Sequence, residues 1–572
     1  MKKLLTLFVC LLATVCSKAD PVGLEVAQNV AQKVLGKQVR LLGNSNSHRA
    51  TKQIEANPTY YMFNAEDGSG FALITGDDML PQVLGYSSTG KLSEKCDLPE
   101  ALATYLDIYD QYVNAVRNGQ LSDTEDLTNA FALRRGAGAP FLCESEWGQG
   151  DPYNRLCPVL KDIRCPVGCV ATALAQTMFY WKWPIKGQGY GQGKDTDGET
   201  HHGTLEHTYD WDIMKNTRVE NLASDEACAA VSQLSYDCGL AVAMTWGTNG
   251  SGAGTPVCIK ALYTNFGYIP TTLRPRMREC YDSEKDYLTV IAEEIDVGRP
   301  VIQSASSKTG TDGDAAGHAY VIDGYDANGF VHVNWGWNGD ANGYFDLAKM
   351  NPMGYTFTLS QTTITGIVPA KNGEIGTPTE YPYLAYSPKS DRKLGDKIRW
   401  KSVSFKATVG GVYNYNGNAH TWTMALGVYD NNNRLIGQIS DPRNTITISL
   451  EPSHYYKEDA FSNIECKLNK ELENGEYAVR VMFKENNGEW ILPDMAGGMK
   501  KNAIYFKLEG NYITFTDGTE YNATTSISSL KRDESLDSSL RYYDLQGREL
   551  NGPSKGLVIR KQGNTVRKVI IK

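Results

Sequence analysis

One cysteine in this 572-residue sequence sits in a pattern that would turn a thiol into a nucleophile. Cys169 lies within Pro166-Val167-Gly168-Cys169-Val170-Ala171-Thr172-Ala173-Leu174-Ala175-Gln176. Pro and Gly end a loop, and the Ala-rich run predicts a helix that begins at the cysteine. Val170, Leu174, Met178 and Trp181 recur at helical spacing and give that helix an apolar face. A thiol at a helix N-terminus stands beside N–H groups without intrahelical partners and the positive end of the macrodipole. It gives up its proton more readily there, and the thiolate is the attacking species. On this segment alone, a small buried core cysteine is an equal reading.

A cysteine nucleophile needs a base, and the sequence holds eight histidines. His48 lies in the N-terminal segment, and His420 and His454 lie in a β-rich C-terminal region. His201, His202 and His207 fall in a Gly- and Thr-rich polar stretch that reads as a solvated loop rather than a metal site. His332, inside Phe330-Val331-His332-Val333-Asn334-Trp335-Gly336-Trp337, reads as a packed residue. His318 differs: it opens Gly317-His318-Ala319-Tyr320-Val321-Ile322-Asp323-Gly324-Tyr325, a strand entered through the Gly-rich loop 310–317, where an imidazole can face a cleft. It follows Cys169 by roughly 150 residues, the separation of papain-type enzymes. The next strand supplies Asn334, whose amide oxygen would accept the imidazole N–H, and Trp335, whose indole would shield that bond from water. The negative oxygen formed during acyl transfer needs fixed donors. The backbone N–H of Cys169 is one, and the side-chain amide of Gln149, in Trp147-Gly148-Gln149-Gly150-Asp151-Pro152-Tyr153-Asn154, is the other. Each of these residues is weak as a lone signal.

The elements that must position them fall into several modules. Met1-Lys2-Lys3, the apolar run Leu4 to Val15 and the small-residue site Ser17-Lys18-Ala19 read as a leader over 1–19 that directs export. A lipid anchor on Cys16 is the rival, disfavoured by the bulky Val15. No later stretch reads as a transmembrane span. Residues 20–138 read as an α+β segment, with helical spacing at Val26 to Leu35 and Leu98 to Val116 and strands at Tyr60-Tyr61-Met62-Phe63 and Gly70 to Ile74. Arg134-Arg135-Gly136-Ala137-Gly138-Ala139-Pro140 is a basic, protease-accessible linker. Residues 139–370 carry the chemistry. Alternating runs such as Thr421 to Tyr429, separated by turn clusters such as Asp430-Asn431-Asn432-Asn433, predict a β-sandwich over 378–520. A last small module spans 540–572.

Composition narrows the partners. The net charge of −9 is mild for the length and argues against nucleic acid, which needs a concentrated basic face. Of 12 cysteines, nine remain beyond the leader and the N-terminal segment, an odd number that implies at least one thiol outside any disulfide. No C-x2-C pair occurs, so no zinc site is expected.

Together these segments resemble the streptopain family of bacterial cysteine peptidases, which includes interpain- and periodontain-type enzymes. The resemblance rests on Trp147-Gly148-Gln149 with Pro152-Tyr153-Asn154, Val167 to Ala173, Gly317-His318-Ala319 and Val333-Asn334-Trp335-Gly336-Trp337. It extends to Gly250-Ser251-Gly252-Ala253-Gly254, similar to a loop lining the family's substrate cleft. It also takes in the N-terminal runs Tyr60 to Asn64, Gly70 to Ile74 and Leu84 to Ser87. The resemblance implies an α+β fold: a papain-like catalytic domain behind an α+β pro-segment, followed here by the β-sandwich. It implies a Cys169–His318 dyad, substrate contacts from Gly250, Ser251, Gly252, Ala253 and Gly317, and protein or peptide substrates. It further implies a zymogen whose own pro-segment acts as an intramolecular inhibitor, with no metal or organic cofactor. Val170 replaces the aromatic residue of the papain signature, and Gln149 lies about twenty residues before the cysteine, farther than in papain; both fit the streptopain branch. Tyr542 to Leu550 and Val569-Ile570-Ile571-Lys572 resemble a type IX-like sorting tail, which implies outer-membrane secretion machinery as a partner; a plain β-hairpin cap is the alternative. Two other functions fit less of the sequence: a cell-wall peptidase or amidase of the same fold, and a surface-binding protein with an inert peptidase module.

Overall fold

The computed structural model describes residues 21–517 apart from internal segments, the longest of which are 46–56, 119–140, 215–223, 308–315 and 347–360, together with strands between 540 and 571. The leader, the basic linker at 134–140, most of the Gly-rich loop before His318 and residues 518–539 lie outside the described residues.

A ten-stranded sheet organises the body. Its strands run in the spatial order Val39–Asn44, Tyr60–Ala65, Phe71–Thr75, Val83–Ser87, Gly343–Phe345, Val331–Asn334, Ala316–Tyr325, Val301–Ser307, Thr362–Thr365 and Arg274–Met277. The first four belong to the N-terminal segment, so Val83–Ser87 and Gly343–Phe345 join two regions far apart in the chain. They pair antiparallel, Tyr86 opposite Tyr344 and Gly85 opposite Phe345. A Cβ on Gly85 would press into the Phe345 ring, so the close pairing requires glycine there.

Alternation along the strands explains why both faces are covered. Tyr60, Met62, Phe71 and Leu73 point into one core with the helix Glu100–Arg117, whose Leu102, Tyr105, Leu106, Tyr109 and Val113 are buried with them. Tyr61, Phe63, Ala72 and Ile74 point the other way, against Ala27 and Ala31 of the helix Leu24–Leu35. That helix ends at Gly36, whose φ of +64° is the left-handed conformation that closes helices. In Ala316–Tyr325 the same rule sends Tyr320 and Ile322 into the first core, and Ala319 and Val321 into a third.

The third core holds the helix Cys169–Trp181. Every residue from Val170 to Phe179 is buried, so the single apolar face expected from the sequence is a helix enclosed all round. Asp225–Ala241 packs against it, capped by Ser224, whose hydroxyl accepts the Ala227 N–H, with Asp225 and Glu226 in the first turn.

Beyond residue 380 the described elements are strands. Phe405, Ala407 and Val409 of one sheet meet Trp422, Met424, Leu426 and Val428, with Val479, Val481 and Phe483, of a seven-stranded sheet. Every second residue faces the shared core, as in a β-sandwich. Arg274 pairs with Asp494 at 3.3 Å, and Met277 and Cys280 are buried with Tyr383, Tyr413 and Tyr415. The sandwich is therefore fastened to the edge of the large sheet. A separate unit, 518–572, contains a four-stranded sheet of Glu549–Leu550, Leu540–Tyr543, Gly556–Gln562 and Thr565–Ile571. Among the described residues, no helix is long and apolar enough to cross a membrane.

Candidate active site

Gly168 has φ +95°, and a Cβ there would meet the Met244 side chain and the Ser251 main-chain oxygen. Only glycine makes this bend, and the bend places Cys169 as the first residue of its helix. No side chain caps that first turn and no acidic residue lies in it, so the positive end of the helix bears on the thiol without a competing carboxylate.

The nine cysteines among the described residues are thiols, and Cys169 alone of them is not buried. Burial pushes several of the others toward the neutral form: Cys157 and Cys466 up to about 12, Cys143 and Cys238 well above the usual thiol range, and Cys165 upward. Cys258, close enough to feel charge on Cys169, is also raised, first by burial.

His318 is the third residue of Ala316–Tyr325 and is 5% exposed. Its ring stacks with Tyr320, with centroids 6.5 Å apart and planes at 18°. Its Nε2 lies 3.0 Å from the main-chain oxygen of Trp335. A carbonyl only accepts, so Nε2 carries the proton and Nδ1 holds the lone pair of the neutral ring. Trp335 is held in turn. Its N–H donates to Asn342 Oδ1 and its indole N–H to Ala341 O, both at 3.0 Å, and Tyr320 and Phe345 pack on the ring.

The expected role of Asn334 needs correction. Its Oδ1 does not accept the imidazole N–H; it accepts N–H groups from Gly336 at 3.1 Å and Gln176 at 3.2 Å. Its Nδ2 donates to Ser145 O and to Gln176 Oε1. The acceptor at His318 is the backbone of the next residue, Trp335, whose indole packs on Tyr320. Asn334 lies opposite Val321, three residues along the strand from His318, so its amide does not stand level with the imidazole.

Gln149 is tied to the Cys169 loop through its main chain, with Val167 N–H donating to Gln149 O at 2.9 Å. Its neighbour Gly148 lies against the Asn338 side chain, and Asn338 N–H donates to Trp147 O at 3.1 Å. Ser251 Oγ donates to Pro166 O at 2.8 Å, and Gly252 exchanges two backbone bonds with Thr245 at 2.9 and 3.0 Å. Gly250 is exposed and Ala253 packs on the Cys169 core. The loop 250–253 is thus fastened three residues before Cys169. Gly317, exposed, pairs with Ser306 beside His318.

The other histidines serve elsewhere. His332 Nδ1 meets Asp323 Oδ1 at 2.6 Å, while Asp323 Oδ2 accepts Cys143 N–H at 2.7 Å and Phe141 stacks on the ring at 4.5 Å. That clasp holds residues 141–143 to the sheet, the packed role expected of His332. The stretch expected as a solvated loop is instead a hairpin, Tyr190–Asp195 with Thr200–Thr204, in which His201 meets Asp195 at 2.8 Å. Asp195, Glu199 and His201 each bring one ligand atom within 4.8 Å of the others, a spacing a cation could use. Asp195 is already engaged by the Asp197 and Glu199 N–H groups of the hairpin's own turn.

Sequence reasoning missed Gln176 as a site residue. Its signal was visible: a lone amide on an otherwise Ala-rich, apolar helix, seven residues after the cysteine and so on the same face.

A thiol at an uncapped helix start, with a tautomer-fixed imidazole on a neighbouring element, has the parts of a cysteine hydrolase. Residues 147–345 match the Peptidase C10 family and residues 19–113 match the Spi protease inhibitor family. The chain is 31% identical over 429 residues to the thiol protease/hemagglutinin PrtT of Porphyromonas gingivalis, covering 70% of this chain and 48% of that protein. It therefore spans about half of that relative's length. It is 30% identical over 316 residues to streptopain of Streptococcus pyogenes, covering 51% of this chain and 74% of streptopain. A prointerpain A fragment from Prevotella intermedia is similar at 31% identity, covering 58% of this chain and 99% of the fragment, with a TM-score of 0.47. The chain belongs to the Peptidase C10 family, with an inhibitor-like segment ahead of the peptidase segment.

Proposed function

We propose that the chain is an exported cysteine endopeptidase made as an inactive precursor. Cys169 attacks the scissile carbonyl, and His318 Nδ1 takes the thiol proton and returns it to the leaving amine. Water then releases the acyl group. The Trp335 carbonyl fixes the imidazole, and the Cys169 N–H with the Gln149 amide receives the developing oxyanion. Gly250, Ser251, Gly252, Ala253 and Gly317 border the substrate. The observation that carries this reading is the contrast among the thiols: Cys169, at its helix start, stands apart from eight buried neighbours.

In this reading 1–19 is an export leader, 20–138 the inhibitory pro-segment, 139–370 the catalytic domain, 378–520 the β-sandwich and 540–572 a sorting module. Inhibition by the pro-segment is supported by its match to the Spi inhibitor family and by the pairing of Val83–Ser87 with Gly343–Phe345. Tyr86 adds a hydrogen bond to Asp326 at 2.9 Å. The test compares wild type with Cys169→Ala on casein and on its own precursor. The expected result is casein cleavage by wild type alone, with Cys169→Ala accumulating at precursor length because cutting near 134–140 is lost. Casein cleavage by Cys169→Ala would sink the reading, and cleavage of muropeptides in place of casein would move the enzyme to the cell wall.

A further inference from the structure

Gln176 is fully buried, a polar side chain on a helix whose other inward residues are small or apolar. Burial of an amide is tolerated only when its donors and acceptors are met. Here Oε1 accepts the Trp147 N–H at 3.3 Å and the Asn334 Nδ2–H at 3.0 Å, while Nε2 donates to Asn334 Oδ1 at 3.2 Å. The two amides therefore face each other as a reciprocal pair. Asn334 extends the pair to Ser145 O and the Gly336 N–H. Gly336 has φ +73°, and a Cβ there would lie 3.0 Å from Thr172 and 3.7 Å from Gln176 Nε2, so the turn after Trp335 rests on the Cys169 helix itself.

Each partner belongs to a different part of the site. Trp147 leads into Gln149, Asn334 precedes the carbonyl that holds His318, and Gln176 lies two helical turns, about 10 Å, behind the thiol. We propose that Gln176 is a positioning residue. Its amide sets the spacing between the Cys169 helix, the Trp147–Gln149 segment and the turn bearing the Trp335 carbonyl, and so sets where imidazole and oxyanion donor stand relative to the thiol. The inference rests on the catalytic reading above.

The test uses mature enzyme and a fluorogenic peptide. Gln176→Leu keeps the bulk and removes all three hydrogen bonds, whereas Gln176→Glu keeps the acceptor toward Trp147 and Asn334. A displacement of about 1 Å at a site of this kind costs on the order of 100-fold, so Gln176→Leu loses that much kcat with KM within about twofold. The limbs of its kcat/KM pH profile also shift, because the acceptor at His318 has moved. Gln176→Glu returns kcat to within about fivefold of wild type. Thermal melting reports folding; if Gln176→Leu does not fold, Gln176→Asn, one methylene too short to bridge, carries the same expectation. Wild-type kcat and pH limbs in a folded Gln176→Leu or Gln176→Asn overturn the proposal. So does a loss that tracks the unfolded fraction with an unchanged pH profile. Cys169→Ala is run alongside: turnover there defeats the catalytic reading itself, while an inert Cys169→Ala with a wild-type-like Gln176 variant removes only the role of Gln176.

Discussion

His318 and His332 sit on neighbouring strands of one sheet, both nearly buried, 5% and 7% exposed, and each stacked on an aromatic ring. They differ in what holds the ring. His332 faces the Asp323 carboxylate, which is itself tied to the Cys143 N–H, and a charge-assisted bond of that kind favours one fixed arrangement. His318 faces a neutral backbone carbonyl, which fixes the tautomer with the proton on Nε2 and the lone pair on Nδ1. The same side chain thus serves as a clasp in one place and suits a base in the other, and the acceptor makes the difference.

Three substitutions test that contrast. His318→Ala removes the proposed base, and kcat/KM on a peptide substrate should fall by about 10³-fold or more, with melting close to wild type. Asn334→Ala strips partners from Gln176, Ser145 and Gly336 at once. It should cost about 3 kcal/mol of stability in urea titration and about tenfold or more in kcat, mixing the two roles. His332→Leu leaves the Asp323 carboxylate without its imidazole. Stability should drop by about 3 kcal/mol while kcat of the folded fraction stays within about threefold, which separates clasp from base. Equal activity losses at His318 and His332 would erase the comparison.

The smallest effect concerns Asp237, buried beneath His207 and Tyr209. Burial holds its carboxyl above the usual range, despite hydrogen bonds from Tyr209 and Gln233 that act the other way. A raised carboxyl contributes stability below its unfolded value and loses it as pH rises through the folded value. Melting of Asp237→Asn should therefore gain on wild type as pH climbs from about 4 upward. A difference that stays flat across that window contradicts the assignment.

Much of this site was legible in sequence because it depends on local pattern. Gly168 before an Ala-rich run marks Cys169, and Gly317 before alternating apolar residues marks His318. The third partner was not legible. Whether the Asn334 side chain or the Trp335 backbone meets the imidazole turns on the register of two strands, which places Asn334 opposite Val321, and register leaves no composition signature. The union of the N-terminal strands with the catalytic sheet was hidden for another reason. Tyr86 and Tyr344 pair across most of the catalytic region, and no local periodicity encodes a contact of such separation. The enclosed helix was half legible: its apolar residues were visible, but its all-round burial is set by elements elsewhere in the chain.

The most direct test of the central claim is a map of thiol reactivity. Mature, folded protein is treated with a limiting amount of an epoxide inhibitor of cysteine peptidases, digested, and each cysteine peptide is weighed. The account predicts one adduct, on Cys169, formed in step with loss of peptidase activity, with Cys143, Cys157, Cys165, Cys238, Cys258 and Cys466 unmodified. An unmodified Cys169, or activity lost through an adduct on another cysteine, would contradict it.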